Sequence, residues 1–488
     1  MPSASGGQSL DGAAVILTMK EIQTALAPVS FIGDPSRHEI IPSGVSTDSR
    51  QIREGELFFA LRGEKFDGHD FVMNVQSKAL AAVVEEFWFE KTKPAAGNFL
   101  IVQDSLRALQ QCGRAARRAW QGPIVAIGGS NGKTTTKELV SSVLAQKLDT
   151  HRTPGNLNNH IGVPLTLGSL QREHEVAVLE VGTNHFGEIA QLCEIAEPDY
   201  GLITNIGREH LEFFGDIAGV GRAEFELFDY LAQRRGTALL NIDDPTIRAA
   251  KWKNLKAASF GFSEGAQVHG ALAGLDDNGC ATFSVDRIAI RVPIPGTHNA
   301  INALAAVAVG LQFGVSLEQA RAGIESCRAV SKRMEMMRVA GVTFINDAYN
   351  ANPESMRAAL DLLTTMPVDK DGRRVAVLGD MLELGEASEA AHREIGEKIN
   401  HLPLDAVLAF GSAAREMVNA IEAKRLAVVK HFLNKAELSR AACELLRRGD
   451  VALVKGSRGM AMEEIIEAFR RSSAETGSEA GHSPTKAG

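Results

Sequence analysis

Three things are scarce in this chain of 488 residues, and each scarcity narrows what it does. Cysteine is the first: Cys112, Cys193, Cys280, Cys327 and Cys443 lie far apart and show no CxxC spacing. An odd, scattered set speaks against a disulfide framework and for reduced thiols, as in the cytoplasm. Long hydrophobic runs are the second. No apolar stretch approaches the ~20 residues of a membrane span, so no membrane insertion is expected. The opening MPSASGGQSLDGAAVILTM has no basic stretch and too short an apolar run for a secretory leader. Positive charge is the third. With 52 basic and 60 acidic residues the net charge is −8, the opposite of the basic surface that nucleic acid attracts. These absences leave a soluble, cytoplasmic protein with no nucleic-acid partner as the expectation.

What is present is ordinary globular material. Apolar residues make up 44% of the chain, enough for several cores. The length suggests roughly two to four domains. No repeat of fixed period is visible. Residues 1–17 and 472–488, rich in Gly, Ser and Ala or poor in apolar residues, read as disordered ends. Three blocks lie between. Residues 18–121 mix short strand-like runs (GELFFALRG, LAAVVEE, NFLIVQD) with the helix SLRALQQCGRAARRAW. Residues 122–330 alternate strands (IVAIGG, EVAVLEVG, YGLITNIG, GTALLNID) with helices, which implies a mainly parallel sheet. The stretch 257–295 reads as a β-rich insertion, followed by the Ala-rich helix HNAINALAAVAVGLQFG. Residues 331–471 carry the strands VTFINDAY, RRVAVLGD, DAVLAFG and DVALVKG, a second doubly wound unit.

The segment with the most chemistry in it is GGSNGKTTTK, residues 128–137. A strand precedes it and a helix follows, the setting in which a glycine loop holds phosphate. Backbone N–H groups of Gly129, Ser130, Asn131 and Gly132 and the helix N-terminus favour an anion. Lys133 can neutralise phosphate charge, and Thr134, with Thr135 beside it, can offer a hydroxyl to Mg²⁺. The spacing is the short G-x-x-G-K-T form, since position 127 is Ile. In TPGNLNNHIGVPLTL (153–167), Asn156, Asn158 and Asn159 are either amide ligands or a capped polar turn. Glu180 ends the strand VAVLEVG, where a carboxylate faces a ligand crevice or simply solvent. His185 in GTNHFGEI and His210 in TNIGREHLEFFG also follow strand ends. In the third block Asp347, Asn350 and Asn352 (NDAYNANPESM), Asp380 and Glu383 (VLGDMLELGE), and Lys455 and Arg458 (VKGSRGMAMEE) sit in three polar loops at one sheet edge. Each of these alone is equally a turn; together they make a second half-site.

Taken in order, these segments resemble the Mur ligase family of peptidoglycan synthesis, over roughly 18–470. The likeness is to its MurF-type branch, to whose UDP-binding domain STDSRQIREGELFFALRGEKFDGHDF (46–71) is similar. The resemblance implies an α/β fold in three domains: a small α/β UDP-binding domain, a central P-loop ATPase-like parallel-sheet domain and a C-terminal Rossmann-like domain. It implies an ATP- and Mg²⁺-dependent ligase, with two ions, that joins D-alanyl-D-alanine to UDP-N-acetylmuramoyl-tripeptide through an acyl phosphate and acts as a monomer. By the same likeness, His298, Asn299 and Asn302 (GTHNAINALAA), Arg333 (SKRMEMM) and Asp347 meet ATP. Lys133, Glu180, His210 and Arg333 are then catalytic. Thr134, Glu180, His210 and Glu224 hold metal. Thr47, Asp48, Ser49 and Arg50 take the uridine-diphosphate end, and Asn158, Asn159, His185, Tyr349, Asn350, Asn352, Lys455 and Arg458 face substrate. One position departs from the family pattern. Where members carry a carbamylated lysine, in a segment like VAKAKGEIF, this chain reads VGRAEFELF and places Glu224. A ready carboxylate, with no carbamyl-lysine, is the expectation.

Overall fold

A computed structural model describes residues 16–422 and 425–479. Among them the strands form four sheets. The first has the order Ser30–Ile32, Phe99–Val102, Ala81–Glu85, Leu57–Phe59, Val45–Ser46, parallel except for the Ser30–Ile32 edge. The second is fully parallel, in the order Val268–His269, Lys256–Gly261, Thr237–Asn241, Tyr200–Ile203, Ile124–Gly128, Val176–Glu180, Thr150–Arg152. The third is an antiparallel meander of Ala271–Leu275, Cys280–Val285 and Ile288–Pro295. The fourth runs Glu335–Val339, Val342–Asp347, Val451–Lys455, Arg374–Gly379, Ala406–Phe410, Val428–Phe432. Only its Glu335–Val339 edge is antiparallel.

The central strands Ile124–Gly128 and Val176–Glu180 are buried at every position. That is why they read as unbroken apolar runs: helices cover both faces of a parallel sheet. Ile124–Gly128 is flanked by Val176–Glu180 on one side and Tyr200–Ile203 on the other. The chain therefore turns from one direction to the other at this strand, and a crevice opens at its C-terminal end, where the glycine loop begins.

The helix Ser105–Trp120 starts on Asp104, whose carboxylate accepts from Arg107 N–H, and ends at Gln121 in the left-handed region. Its buried face, Leu109, Cys112, Ala116 and Trp120, packs between the first and second sheets in one continuous core. Arg117 donates to the Ala196 carbonyl and pairs with Asp199 at 2.9 Å, so this helix ties the first block to the second.

Three sequence expectations change. Of the tail expected to be disordered from Ser472, residues 472–479 continue the last helix, Glu463–Glu479. Ile465, Ile466 and Phe469 bury against the fourth sheet and nucleate a helix that the following Ser, Ala and Glu residues extend. Ile16 and Leu17, placed in the disordered start, are buried in the first core, while residues 1–15 and 480–488 lie outside the described set. The insertion read at 257–295 divides. Lys256–Gly261 pairs in parallel with Thr237–Asn241 and belongs to the central sheet, and only the later three strands stand apart. Periodicity along a strand says nothing of the distant partner it pairs with.

Candidate active site

The glycine loop is shaped by its neighbours as much as by itself. Ser130 N–H donates to the Asn205 carbonyl at 2.9 Å, Asn131 N–H to Asn205 Oδ1 at 3.1 Å, and Thr204 Oγ1 to the Asn131 carbonyl at 2.7 Å. Gly129 and Gly132 adopt φ of 109° and 83°, open to glycine without strain, and a Cβ on Gly132 would lie 2.8 Å from Asn302 Oδ1. The helix Lys133–Leu144 then begins, so the loop's N–H groups and the positive end of that helix face the same space.

Charge is concentrated beneath and beside this loop. Glu224 is fully buried and its Oε2 accepts from Gly129 N–H at 2.6 Å. Burial raises its pKa, opposed by Lys133 and that N–H. Lys133 Nζ donates to the Gly129 carbonyl at 2.5 Å and sits 3.5 Å from Glu209 Oε2. Burial works against the Lys133 ammonium, but Glu209, Glu224 and Glu180 outweigh it and its pKa is raised. Glu209 itself is buried, and burial pushes its carboxyl up to about 8 against the pull of Lys133. His210 has φ of 49°, uncommon for a residue with a side chain. Its Nδ1 lies 2.5 Å from Glu383, and burial followed by Lys133 lowers its pKa.

A cation fits this site on the evidence of its oxygens. Thr134 Oγ1, Glu180 Oε2 and Glu224 Oε1 are buried without a hydrogen-bond partner. Such atoms are costly unless something meets them, and hard oxygen donors suit Mg²⁺. Among the described residues no three His, Cys, Asp or Glu side chains form a ready-made cage.

The fourth sheet supplies the opposite wall. Asn352 caps the helix Pro353–Thr365 and reaches across to Asn131 Oδ1 at 2.8 Å. Arg208 pairs with Glu354 at 2.8 Å and Glu394 at 2.7 Å, and Arg357 also reaches Glu394. Arg333 lies 3.8 Å over the Tyr349 ring. Lys455 donates to Asp347 at 2.5 Å and to the Asn350 carbonyl at 2.8 Å.

Between the walls lies a cavity of about 800 Å³. It is lined by Ser130, Asn131, Gly132, Lys133, Thr134, Thr135, Asn158, Asn159, Glu180, His210, His298, Asn299, Asn302, Arg333, Asp347, Tyr349, Asn350, Asn352, Lys455 and Arg458. Burial lowers the His298 pKa, opposed by Asp347. Gly129 and Glu224 form the floor beneath the loop rather than the lining. His185 lies outside the lining with its ring 4.6 Å from Phe213. Thr47, Asp48, Ser49 and Arg50 are not brought to the cavity; they form a turn in the first block with Asp48 and Arg50 paired at 2.7 Å. Asp380 is buried as the acceptor for the Ala413 and Ala414 N–H groups, a helix cap rather than a cavity residue. Asn159 accepts from Ile161 and Gly162 N–H, so here the capped turn applies as well.

Sequence reasoning missed Glu209, Arg208, Glu354 and Lys137. Glu209 stands next to His210 in a segment already singled out, and Lys137 is one helical turn beyond Lys133, but neither position tells from sequence that the side chain is enclosed.

Three family models match the chain: "Mur ligase family, catalytic domain" over 42–116, "Mur ligase middle domain" over 127–310, and "Mur ligase, glutamate ligase domain" over 332–458. The chain is similar to the UDP-N-acetylmuramoyl-tripeptide–D-alanyl-D-alanine ligase of Bacillus subtilis, at 35% identity over 89% of this chain and 95% of the relative. It is likewise similar to that of Escherichia coli, at 36% over 90% and 96%. Among solved structures it is similar to MurF of Acinetobacter baumannii, with 33% identity, a TM-score of 0.79, and coverage of 93% of this chain and 98% of that one. MurF ligase of Thermotoga maritima in complex with ADP matches at 28% identity and a TM-score of 0.75, covering 89% and 98%.

Proposed function

We propose a reaction course from the premise that this chain belongs to the Mur ligase family, in its UDP-N-acetylmuramoyl-tripeptide–D-alanyl-D-alanine ligase branch. The enzyme is an ATP-dependent peptide ligase that joins D-alanyl-D-alanine to the tripeptide and forms the pentapeptide precursor. A carboxylate is a poor electrophile and needs a better leaving group than oxide. One carboxylate oxygen attacks the γ-phosphorus, the bond to the β–γ bridging oxygen breaks, and ADP leaves with that electron pair. The free amine of the dipeptide then attacks the acyl carbon. The acyl C–O bond breaks, phosphate leaves, and the nitrogen loses a proton.

The first step brings two anions together, so counter-charge and water exclusion are the protein's main tasks. Lys133 neutralises the phosphates that the 129–133 loop holds, and Arg333 adds charge from the opposite wall. His298, Asn299 and Asn302 contact ATP. Thr134 and Glu180, with His210 and Glu224, would hold Mg²⁺, and Tyr349, Asn350 and Asn352 position the tripeptide and dipeptide. Bound there, Mg²⁺ supplies Lewis-acid stabilisation of charge on the transferred phosphoryl group. Glu224 stands in with its own carboxylate where relatives are expected to use a modified lysine. The Thr47–Arg50 turn takes the uridine-diphosphate end. The reading is of a monomer acting in the cytoplasm, with both walls of the cavity supplied by one chain.

What carries the reading is the set of buried, unpartnered oxygens of Thr134, Glu180 and Glu224 around the glycine loop. The test is phosphate release from ATP, Mg²⁺ and UDP-muramoyl tripeptide with and without D-alanyl-D-alanine. Release that needs the dipeptide, with a pentapeptide product by mass and no response to bicarbonate, is the expected result. ATP binding with no release for any amine would leave a silent nucleotide-binding protein instead.

A further inference from the structure

Lys137 is a charged side chain with no exposure at all. It lies one turn beyond Lys133 on the same helix, is not among the residues that line the cavity, and no step of the reaction uses it. Burying an ammonium is costly unless all its donors are met. Here they are: Nζ donates to the Thr153 carbonyl at 2.8 Å and the Gly155 carbonyl at 2.6 Å, and lies 3.0 Å from Glu138 Oε1. Two of its hydrogen bonds thus go to backbone of the turn that opens TPGNLNN, and its charge is met by the ion pair with Glu138.

That turn in turn holds Glu180. Thr153 Oγ1 accepts from Glu180 N–H at 3.0 Å, and Asn158 Nδ2 donates to Glu180 Oε1 at 2.9 Å. Gly182 N–H closes the frame on the Asn158 carbonyl at 2.9 Å. One carboxylate oxygen of Glu180 is thereby fixed. The other, Oε2, is buried, lacks a hydrogen bond, and lies 3.9 Å from Lys137 Nζ. The glycine-loop helix, the 153–158 turn and the strand ending at Glu180 thus meet on one ammonium.

We propose that Lys137 is a positioning residue for magnesium: by clamping the 153–155 backbone to the nucleotide helix it holds Glu180 with Oε2 free to meet a cation. The proposal rests on the ligase reading above. Its prediction is a split. Nucleotide affinity without metal depends on the loop and Lys133, with which the Lys137 side chain makes no hydrogen bond or ion pair. The added affinity that Mg²⁺ confers depends on Glu180.

The experiment measures ADP binding to the full-length protein by calorimetry, with and without Mg²⁺, so no turnover is needed. The variants are Lys137→Met, Lys137→Gln (which keeps two N–H donors), Asn158→Ala and the double variant Lys137→Met/Asn158→Ala, each checked for a cooperative melt. Expected for Lys137→Met is metal-free ADP affinity within about twofold of the parent and a loss of about tenfold or more in the Mg²⁺-dependent tightening, the range seen when a partner of a metal ligand is removed. Asn158→Ala loses part of the same tightening, and the double variant is no worse than Lys137→Met, because both act through Glu180. A folded Lys137→Met or Lys137→Gln protein with the parent's full tightening overturns the proposal. If neither Lys137 variant folds, Asn158→Ala decides, and undiminished tightening there overturns it as well. A parent protein whose ADP affinity ignores Mg²⁺ overturns the ligase reading first and this proposal with it, a result distinct from failure in the variants alone.

Discussion

Two polar turns of this molecule, residues 46–50 and 129–135, follow strands and carry the residues expected to meet nucleotide phosphates, yet they are built in opposite ways. In the first, Arg50 is 84% exposed and its pair with Asp48 lies in solvent. In the second, Lys133 is 16% exposed, and Glu180, Glu209 and Glu224 around it are buried. An exposed ion pair is screened and contributes little, whereas buried charges are felt over several ångströms and must be arranged by the fold. The difference separates holding from reacting. The 46–50 turn offers a flat grip for a part of the substrate that does not change. The 129–135 loop has its charges set in place before the ligand arrives.

That contrast can be broken at four points. Lys133→Met removes the central cation and should lower ligation by about a thousandfold or more while the protein still folds, read as phosphate release alongside the melting curve. Glu224→Gln keeps the shape and one hydrogen bond but removes the carboxylate; activity at saturating substrates should fall about ten- to a hundredfold, and bicarbonate should not restore it. Glu209→Gln tests the buried carboxyl itself. The Glu209 carboxyl stands at about 8 in the folded protein against an ordinary 4.5, so the folded state holds a proton that the unfolded state has released. Its contribution to stability is complete below about pH 4.5 and is lost as pH rises through about 8. Relative to the parent, the metal-free Glu209→Gln protein should therefore gain melting temperature between pH 5 and pH 8.5; a constant difference across that range would show that Glu209 is not held protonated. The smallest effect belongs to the exposed turn. Asp48→Asn should leave the melting temperature and kcat unchanged and raise KM for the UDP-linked substrate by only about two- to fivefold, as removal of a solvent-screened pair does. A large drop in kcat there would erase the distinction between the two turns.

The sequence was most legible where local pattern and chemistry coincide. SLRALQQCGRAARRAW reads as a helix from one window and is a helix from Ser105 to Trp120. IVAIGG followed by GKT announces a strand, a loop and a helix within a dozen positions. Legibility failed where meaning depends on a distant partner. Lys256–Gly261 looked like part of an insertion because its parallel neighbour, Thr237–Asn241, is joined through a crossover. Glu335–Val339 went unseen because a sheet edge buries too little to impose a pattern. Lys137 and Glu209 were overlooked for the same reason in chemical form: a Lys or Glu in sequence is ordinarily a solvated surface charge, and only packing shows these two to be enclosed.

The bonds between the glycine-loop side and the fourth-sheet side set a rule for recombining such enzymes. Asn131 with Asn352, Arg208 with Glu354 and Glu394, and His210 with Glu383 each have one member before residue 331 and one after it. A chimera that joins the first 330 residues of this chain to the corresponding last block of a relative inherits half of every pair. Its two parts can each be well folded and still fail to meet. The heritable unit of this catalyst is thus a set of cross-boundary pairs rather than three interchangeable modules, and a working hybrid has to carry those pairs across together.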